Sequence, residues 1–239
     1  MAQETGGCSM LIGRRSPWAR IVPVAVVAAT LPWGAASAQS IGQIQGQAHR
    51  SPQEGNIVTI DGVVTLKRSN GFYVQGVANS DDPTSDGLFV SSNEADEVDV
   101  GDRVTIEGRV IEFVPPNRPT QLPLTELAEP DVVVVAPGAD LPEAVILGTG
   151  GRMAPTEVVD DDGLASFEPD QDGIDFYESL EGMRVTVPDA VALSTVNSFG
   201  EVRALGSGGE GATGFDGAGA VVMTESDVNP ERILIDLDL

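Results

Sequence analysis

Residues 100–114 read VGDRVTIEGRVIEFV. Val104, Ile106, Gly108 and Val110 alternate with Arg103, Thr105, Glu107 and Arg109. A period of two is the pattern of a strand with one buried face. Gly108 falls on the apolar face and leaves a core position without a side chain. Just beyond it, Val110 and Ile111 break the alternation, and Phe113 falls in phase with Ile111. A mid-strand glycine followed by a phase slip predicts a bent or bulged strand. Residues 56–66, NIVTIDGVVTL, repeat the signature: VTIDGVV at 58–64 matches VTIEGRV at 104–110, with glycine at the same offset. Here Val58, Ile60, Gly62, Val64 and Leu66 share one face. Two long strands with matched glycines predict a small barrel, in which a strand coils sharply to serve both halves of a closing sheet. A two-sheet sandwich is the alternative.

The neighbouring segments fill out the barrel. Strands are predicted at 56–67, 71–76, 86–91, 102–114, 120–127 and 131–136, with Asn70-Gly71 as a hairpin turn. No long amphipathic helix interrupts them. Residues 39–55 read as a polar lead-in arm. Residues 137–180 read as a linker rich in Gly, Pro and Asp with acidic loops, holding one helical turn near Phe176 to Leu180. A second strand series begins at 181, where Arg184-Val-Thr-Val echoes Arg103-Val-Thr-Ile, and continues at 220–225 and 232–239 around a glycine-rich loop at 206–219. The fold class expected is therefore all-β: an OB-like five-stranded barrel over 39–136, followed by a partial, incomplete second β unit over 181–239.

Residues 1–38 read as a secretory signal peptide. Arg14, Arg15 and Arg20 form the basic region, residues 21–31 the apolar region, and Ala36-Ser37-Ala38 the small-residue cleavage site. The expected location is secreted or periplasmic, with no membrane association after cleavage. The lone Cys8 lies in this segment and excludes an intrachain disulfide or a thiolate metal site. Residues 1–38 hold three Arg and one acid, which leaves 10 basic and 36 acidic residues and a net charge of −26 beyond them. Lys67 is the only lysine. Such a surface repels polyanions at long range and lacks the basic stripe of a free-standing DNA binder. It fits either a salty habitat or an ordinary acidic secreted protein.

His49 is the only histidine, too few for a two-histidine phosphodiesterase site. No G-x-S-x-G elbow or Walker A run supports a hydrolase or nucleotide-binding reading. Two candidate sites remain. Phe72, Tyr73 and Phe89 fall on the second and third strands, where stacked aromatics can grip single-stranded nucleic acid, and Arg103 and Arg109 could touch phosphate from the fourth. By alternation, Phe72 and Tyr73 point opposite ways, so at most one of them serves. Asp170, Asp172, Asp175 and Glu178 offer alternating oxygens around Gly173, a candidate calcium set outside the EF-hand spacing.

In order along the chain, IGQIQGQAHRSPQEGNIVTIDGVVT at 41–65, GFYVQ at 71–75, DPTSDGLFV at 82–90, VGDRVTIEGRVIEF at 100–113, TQL at 120–122, YESLEGMRVTV at 177–187 and NPERILID at 229–236 resemble the N-terminal region of large secreted bacterial nucleases of the ExeM/NucH type. The resemblance covers roughly 41–239. In that family an OB-like region precedes a metal-dependent catalytic domain of the endonuclease/exonuclease/phosphatase type. It implies an OB-fold module that accompanies extracellular DNA degradation. The sequence ends where the family's catalytic domain would begin, so its catalytic residues have no counterparts here and no activity is expected of this chain alone. The expected function is a secreted nucleic-acid-binding accessory module of an extracellular nuclease, with DNA or RNA and a nuclease catalytic domain as partners. The alternative is a protein-interaction or structural β module. No cofactor is certain, with calcium as the one candidate.

Overall fold

The two matched stretches become two long strands that pair with each other in the N-terminal half. The computed structural model describes residues 37–78, 83–93, 95–216 and 219–237. Most of the predicted leader thus lies outside the described residues. The first five strands are β1 (Ile57–Arg68), β2 (Gly71–Gln75), β3 (Gly87–Ser91), β4 (Arg103–Phe113) and β5 (Leu124–Ala136). They close in the order β1-β2-β3-β5-β4, with β4 returning to β1. All pairs are antiparallel except β3 with β5. The predicted strands 120–127 and 131–136 merge into one element, β5, which starts only at Leu124 and carries Glu129 in a left-handed conformation (φ 52°) beside Pro130.

Val58, Ile60, Val64, Val104, Ile106 and Val110 all point inward and are buried, joined by Phe72, Val74, Leu88, Val90 and Leu127. Gly62 and Gly108 lie in paired ladder, facing Val104 and Val58 across the same β1–β4 pair. A side chain at Gly62 would begin 3.1 Å from the Gln75 carbonyl oxygen, and one at Gly108 3.2 Å from the Ala128 carbonyl oxygen and Leu127 Cβ. Each glycine lets a third strand close in as its own strand passes from one partner to the next. The phase slip is not in β4, whose pairing with β1 runs unbroken from Arg103 to Arg109. The extra residues are in β5, opposite Arg103–Val104 and Glu107–Arg109, and in β1 between Val64 and Leu66. The β1 bulge turns Leu66 off the core face, where alternation had placed it, to a half-buried position.

The polar arm also departs from expectation. Ile41–Gln45 form a short helix, α1, started by a reciprocal cap between Ser40 and Gln43. Ile41 and Ile44 sit one turn apart and are buried in the barrel core. Their burial is worth about 1.5–3 kcal/mol each, which outweighs the polar residues around them.

The C-terminal half holds β6 (Val145–Ile146), α2 (Gly173–Glu178), β7 (Val185–Thr186), β8 (Val191–Ala192), β9 (Glu201–Leu205) and β10 (Ile233–Asp236). β8, β9 and β10 form one small antiparallel sheet, and β6 pairs in parallel with β7. The strand series predicted from 181 to 193 survives as β7 and β8, broken around Pro188. The strand at 220–225 reduces to a single bridge between Phe215 and Val221. Leu147, Phe176 and Leu180 form a second buried cluster, packed against Val187 and Ile233. Residues 137–180 are therefore more than a connector: they supply all three buried members of this cluster. Among the described residues, no helix is long and apolar enough to cross a membrane.

Candidate functional site

β2 and β3 carry the expected ligand face of the barrel. Register places Phe72 opposite Val90 and Tyr73 opposite Phe89. Phe72 belongs to the barrel core at 1 % exposure and cannot touch a ligand, so alternation leaves Tyr73 and Phe89 on the outer face. Their rings pack on each other with centroids 4.9 Å apart and planes at 58°. Phe89 is itself buried at 3 % exposure, and the chain's own Gly182 lies against Tyr73 and Gly87 as a cover on this face.

The cover is held by a set of hydrogen bonds. Glu181 Oε1 accepts from Gln45 Nε2 at 3.1 Å and from the Thr125 backbone N–H at 3.1 Å. Ser85 Oγ donates to the Glu181 carbonyl. Gln75, nearly fully buried, accepts from the Arg184 N–H at 3.0 Å. Gly87 is the point of closest approach: a side chain there would begin 2.2 Å from the Gly182 carbonyl carbon. The contact therefore demands glycine on the barrel side.

Carboxylates crowd this junction. Burial pushes Glu126 up to about 7. Burial, with Glu112 and Glu126 nearby, pushes Glu181 up to about 7 against its two hydrogen bonds. Burial and the neighbouring acids push Glu178 up to about 8. Burial also raises the Tyr73 hydroxyl, with Arg68 pulling it down. What stays open is a recess of about 480 Å³ at the edge of the cover, lined by Thr65, Leu66, Arg68, Tyr73 and residues 182–185.

The structure does not gather the remaining candidates there. Arg103 lines a separate groove with Asp61, Asp140 and Glu143. Arg109 donates to the Gly55 carbonyl at 2.9 Å and stands 3.8 Å from Glu129. Both arginines are exposed on β4 with acids beside them, and neither borders the recess at Tyr73.

The calcium quartet is also divided. Asp172 caps α2 by accepting from the Asp175 N–H at 2.9 Å. Asp175, 1 % exposed, accepts from the Glu168 N–H at 2.6 Å and meets His49 Nε2 at 2.5 Å. Asp170 points to solvent. Among the described residues no group of three or more His, Cys, Asp or Glu side chains is placed to hold a metal ion. The carboxylates of Asp172 and Asp175 are spent on backbone N–H groups and an imidazole. Asp160 and Asp162 do the same in a neighbouring turn, accepting from the N–H groups of residues 162–166.

Two groups escaped the sequence reading. His49, placed in a polar arm, ties that arm to α2 through Asp175 and sets its ring edge-on to Phe167 at 5.4 Å. Glu181 and Gly182 were read as the start of a strand and form the cover instead. The YESLEGM run was visible in the resemblance, but nothing local marks it as a lid for residues a hundred positions away.

Residues 145–239 are similar to a family described as a domain of unknown function, DUF8508. No curated protein matches the chain.

Proposed function

We propose that this chain is a secreted, non-catalytic β module of an extracellular nuclease of the ExeM/NucH type, built on an OB-type barrel and acting through protein contacts. The OB reading is supported by the strand order 1-2-3-5-4 closing on itself, with β3 and β5 parallel. One observation carries the functional reading: the face on which an OB barrel stacks bases is already filled by residues 181–184 of the same chain. Tyr73 and Phe89 pack on each other, leaving no room for two bases between them. The charge acts in the same direction, since a chain of net charge −24 repels a polyanion.

The nucleic-acid reading retains one specific support. The open recess beside the cover presents Tyr73 together with Arg68, an aromatic ring and a cation suited to a single nucleotide. Fluorescence anisotropy with labelled single-stranded DNA and RNA at low salt, with and without calcium, separates the two readings. The protein-contact reading expects no saturable binding. Binding that disappears in Arg68→Ala and Tyr73→Ala would replace it with the nucleic-acid reading. Metal-dependent clearing of DNA in a plate assay by the purified chain would overturn both.

A further inference from the structure

β3 and β5 meet only through Phe89 with Glu126 and Val90 with Leu127. Beyond Leu127, β5 runs on to Ala136 beside β4, and among the described residues no strand pairs with its other edge there. A recess of about 240 Å³ is lined by Asp131, Val132 and Val134 together with Ser92, Glu97 and Val98. Four valines in a row, Val132 to Val135, follow this edge. Val132 packs against the barrel core, but Val133, Val134 and Val135 are 56, 42 and 58 % exposed. An open strand edge is a template for another strand, and folded proteins commonly blunt it with lysine, proline or an inward-pointing charge. Residues 132–136 carry none of these.

The charges beside the edge complement themselves. Register on β4 puts Asp131 opposite Glu107, Val133 opposite Thr105 and Ala136 opposite Arg103. Paired residues share a face, so Asp131, Val133 and Ala136 lie on the same outer face as Arg103. The extra residue in β5, Val135, keeps Asp131 and Ala136 in phase. Asp131 faces a like charge on Glu107, which is an unfavourable cross-strand pair. Neither Asp131 nor Arg103 has an ion-pair partner among the described residues. A second copy laid antiparallel along this edge, with a two-fold axis at Val133, sets Val133 against Val133, Val132 against Val134 and Asp131 against Ala136. Asp131 of one copy then stands two strands, about 10 Å, from Arg103 of the other. Only the small Ala136 lies between them, so the two side chains can meet across it. The two-fold makes this pair twice.

We propose that residues 131–136 are the surface by which two copies of this chain associate, β5 against β5 in one continuous antiparallel sheet. A second copy fits this edge because the match of Arg103 with Asp131 closes on itself under the two-fold. The proposal goes beyond the nuclease reading and rests on the barrel alone.

The test is sedimentation velocity of the full chain from about 1 µM to about 1 mM in about 0.5 M sodium chloride, which screens the mutual repulsion of two acidic copies. About five paired residues a side make a contact below the standard size, so a dimer with Kd in the micromolar-to-millimolar range is expected. Val133→Lys sets two like charges on the axis and should abolish association. Its circular dichroism should match that of the unaltered chain, because the position is exposed. Arg103→Asp and Asp131→Arg should each weaken the dimer about tenfold. The two substitutions together rebuild the pair with its signs exchanged and should restore association to within about threefold. A chain that stays monomeric at the highest concentration, a dimer that survives Val133→Lys, or a double variant no tighter than the single ones would each overturn the proposal.

Discussion

Gly87 decides at one atom whether the two halves of the chain can touch. A methyl group there would collide with the Gly182 backbone, which has no rotamer with which to escape. Gly87→Ala is therefore expected to lift the cover, cost about 1–3 kcal/mol, and expose residues 181–187 to protease. Urea denaturation and limited proteolysis check this, and an unchanged midpoint with unchanged cleavage would contradict it. Gly62 and Gly108 were legible in the sequence because they interrupt a strict alternation. Gly87 was not, because its neighbour is distant along the chain and Asp86-Gly87 reads as an ordinary turn. His49 shows the same limit: nothing nearby predicts that a lone histidine will meet a buried aspartate. Replacing it by alanine leaves Asp175 Oδ1 without this partner, and a loss of about 1–3 kcal/mol in urea denaturation is expected.

Among the elements, β1 and β4 were readable from period two alone, since each buries one face along its length. β5 was read as two strands because Pro130 and a left-handed Glu129 break its pattern, while its pairing with β4 continues on both sides. α1 was missed because five residues are too short for a helical period to show; its two isoleucines form a helix because the barrel accepts them. Glu126 of β5 and the segment 178–181 carry the pH response. Glu126, Glu178 and Glu181 all titrate above the ordinary carboxylate range in the folded chain, at about 7, 8 and 7. The folded state thus holds protons that the unfolded chain releases near 4.5. Their contribution to stability is full below that value and is lost as pH rises through 7 to 8. The thermal midpoint is expected to fall between about pH 5 and pH 8. Glu181→Gln keeps an acceptor for Gln45 and Thr125 but cannot ionise, and it should flatten that fall. A midpoint that rises over this interval, or a slope unchanged by the substitution, would contradict the assignment.

At the scale of the whole molecule, charge and topology act separately. With 37 acidic and 13 basic residues, self-repulsion opposes the compact state, and salt relieves it by shortening the range of the field. Raising sodium chloride from about 0.05 M to about 1 M should therefore raise the thermal midpoint by several degrees, and a fall would show that paired charges matter more than the net excess. The sequence by itself determined the all-β class, the two long glycine-bearing strands and the acidic surface, because alternation and composition are local and additive. Only the tertiary structure decided that residues 182–184 lie against the aromatic face, that Asp172 serves as a cap and Asp175 as a tether, and that Glu231 and Tyr177 share a cavity. Those outcomes depend on which distant backbones come within hydrogen-bond reach. No local pattern encodes such a contact, because its energy exists only once the chain has folded both partners into place.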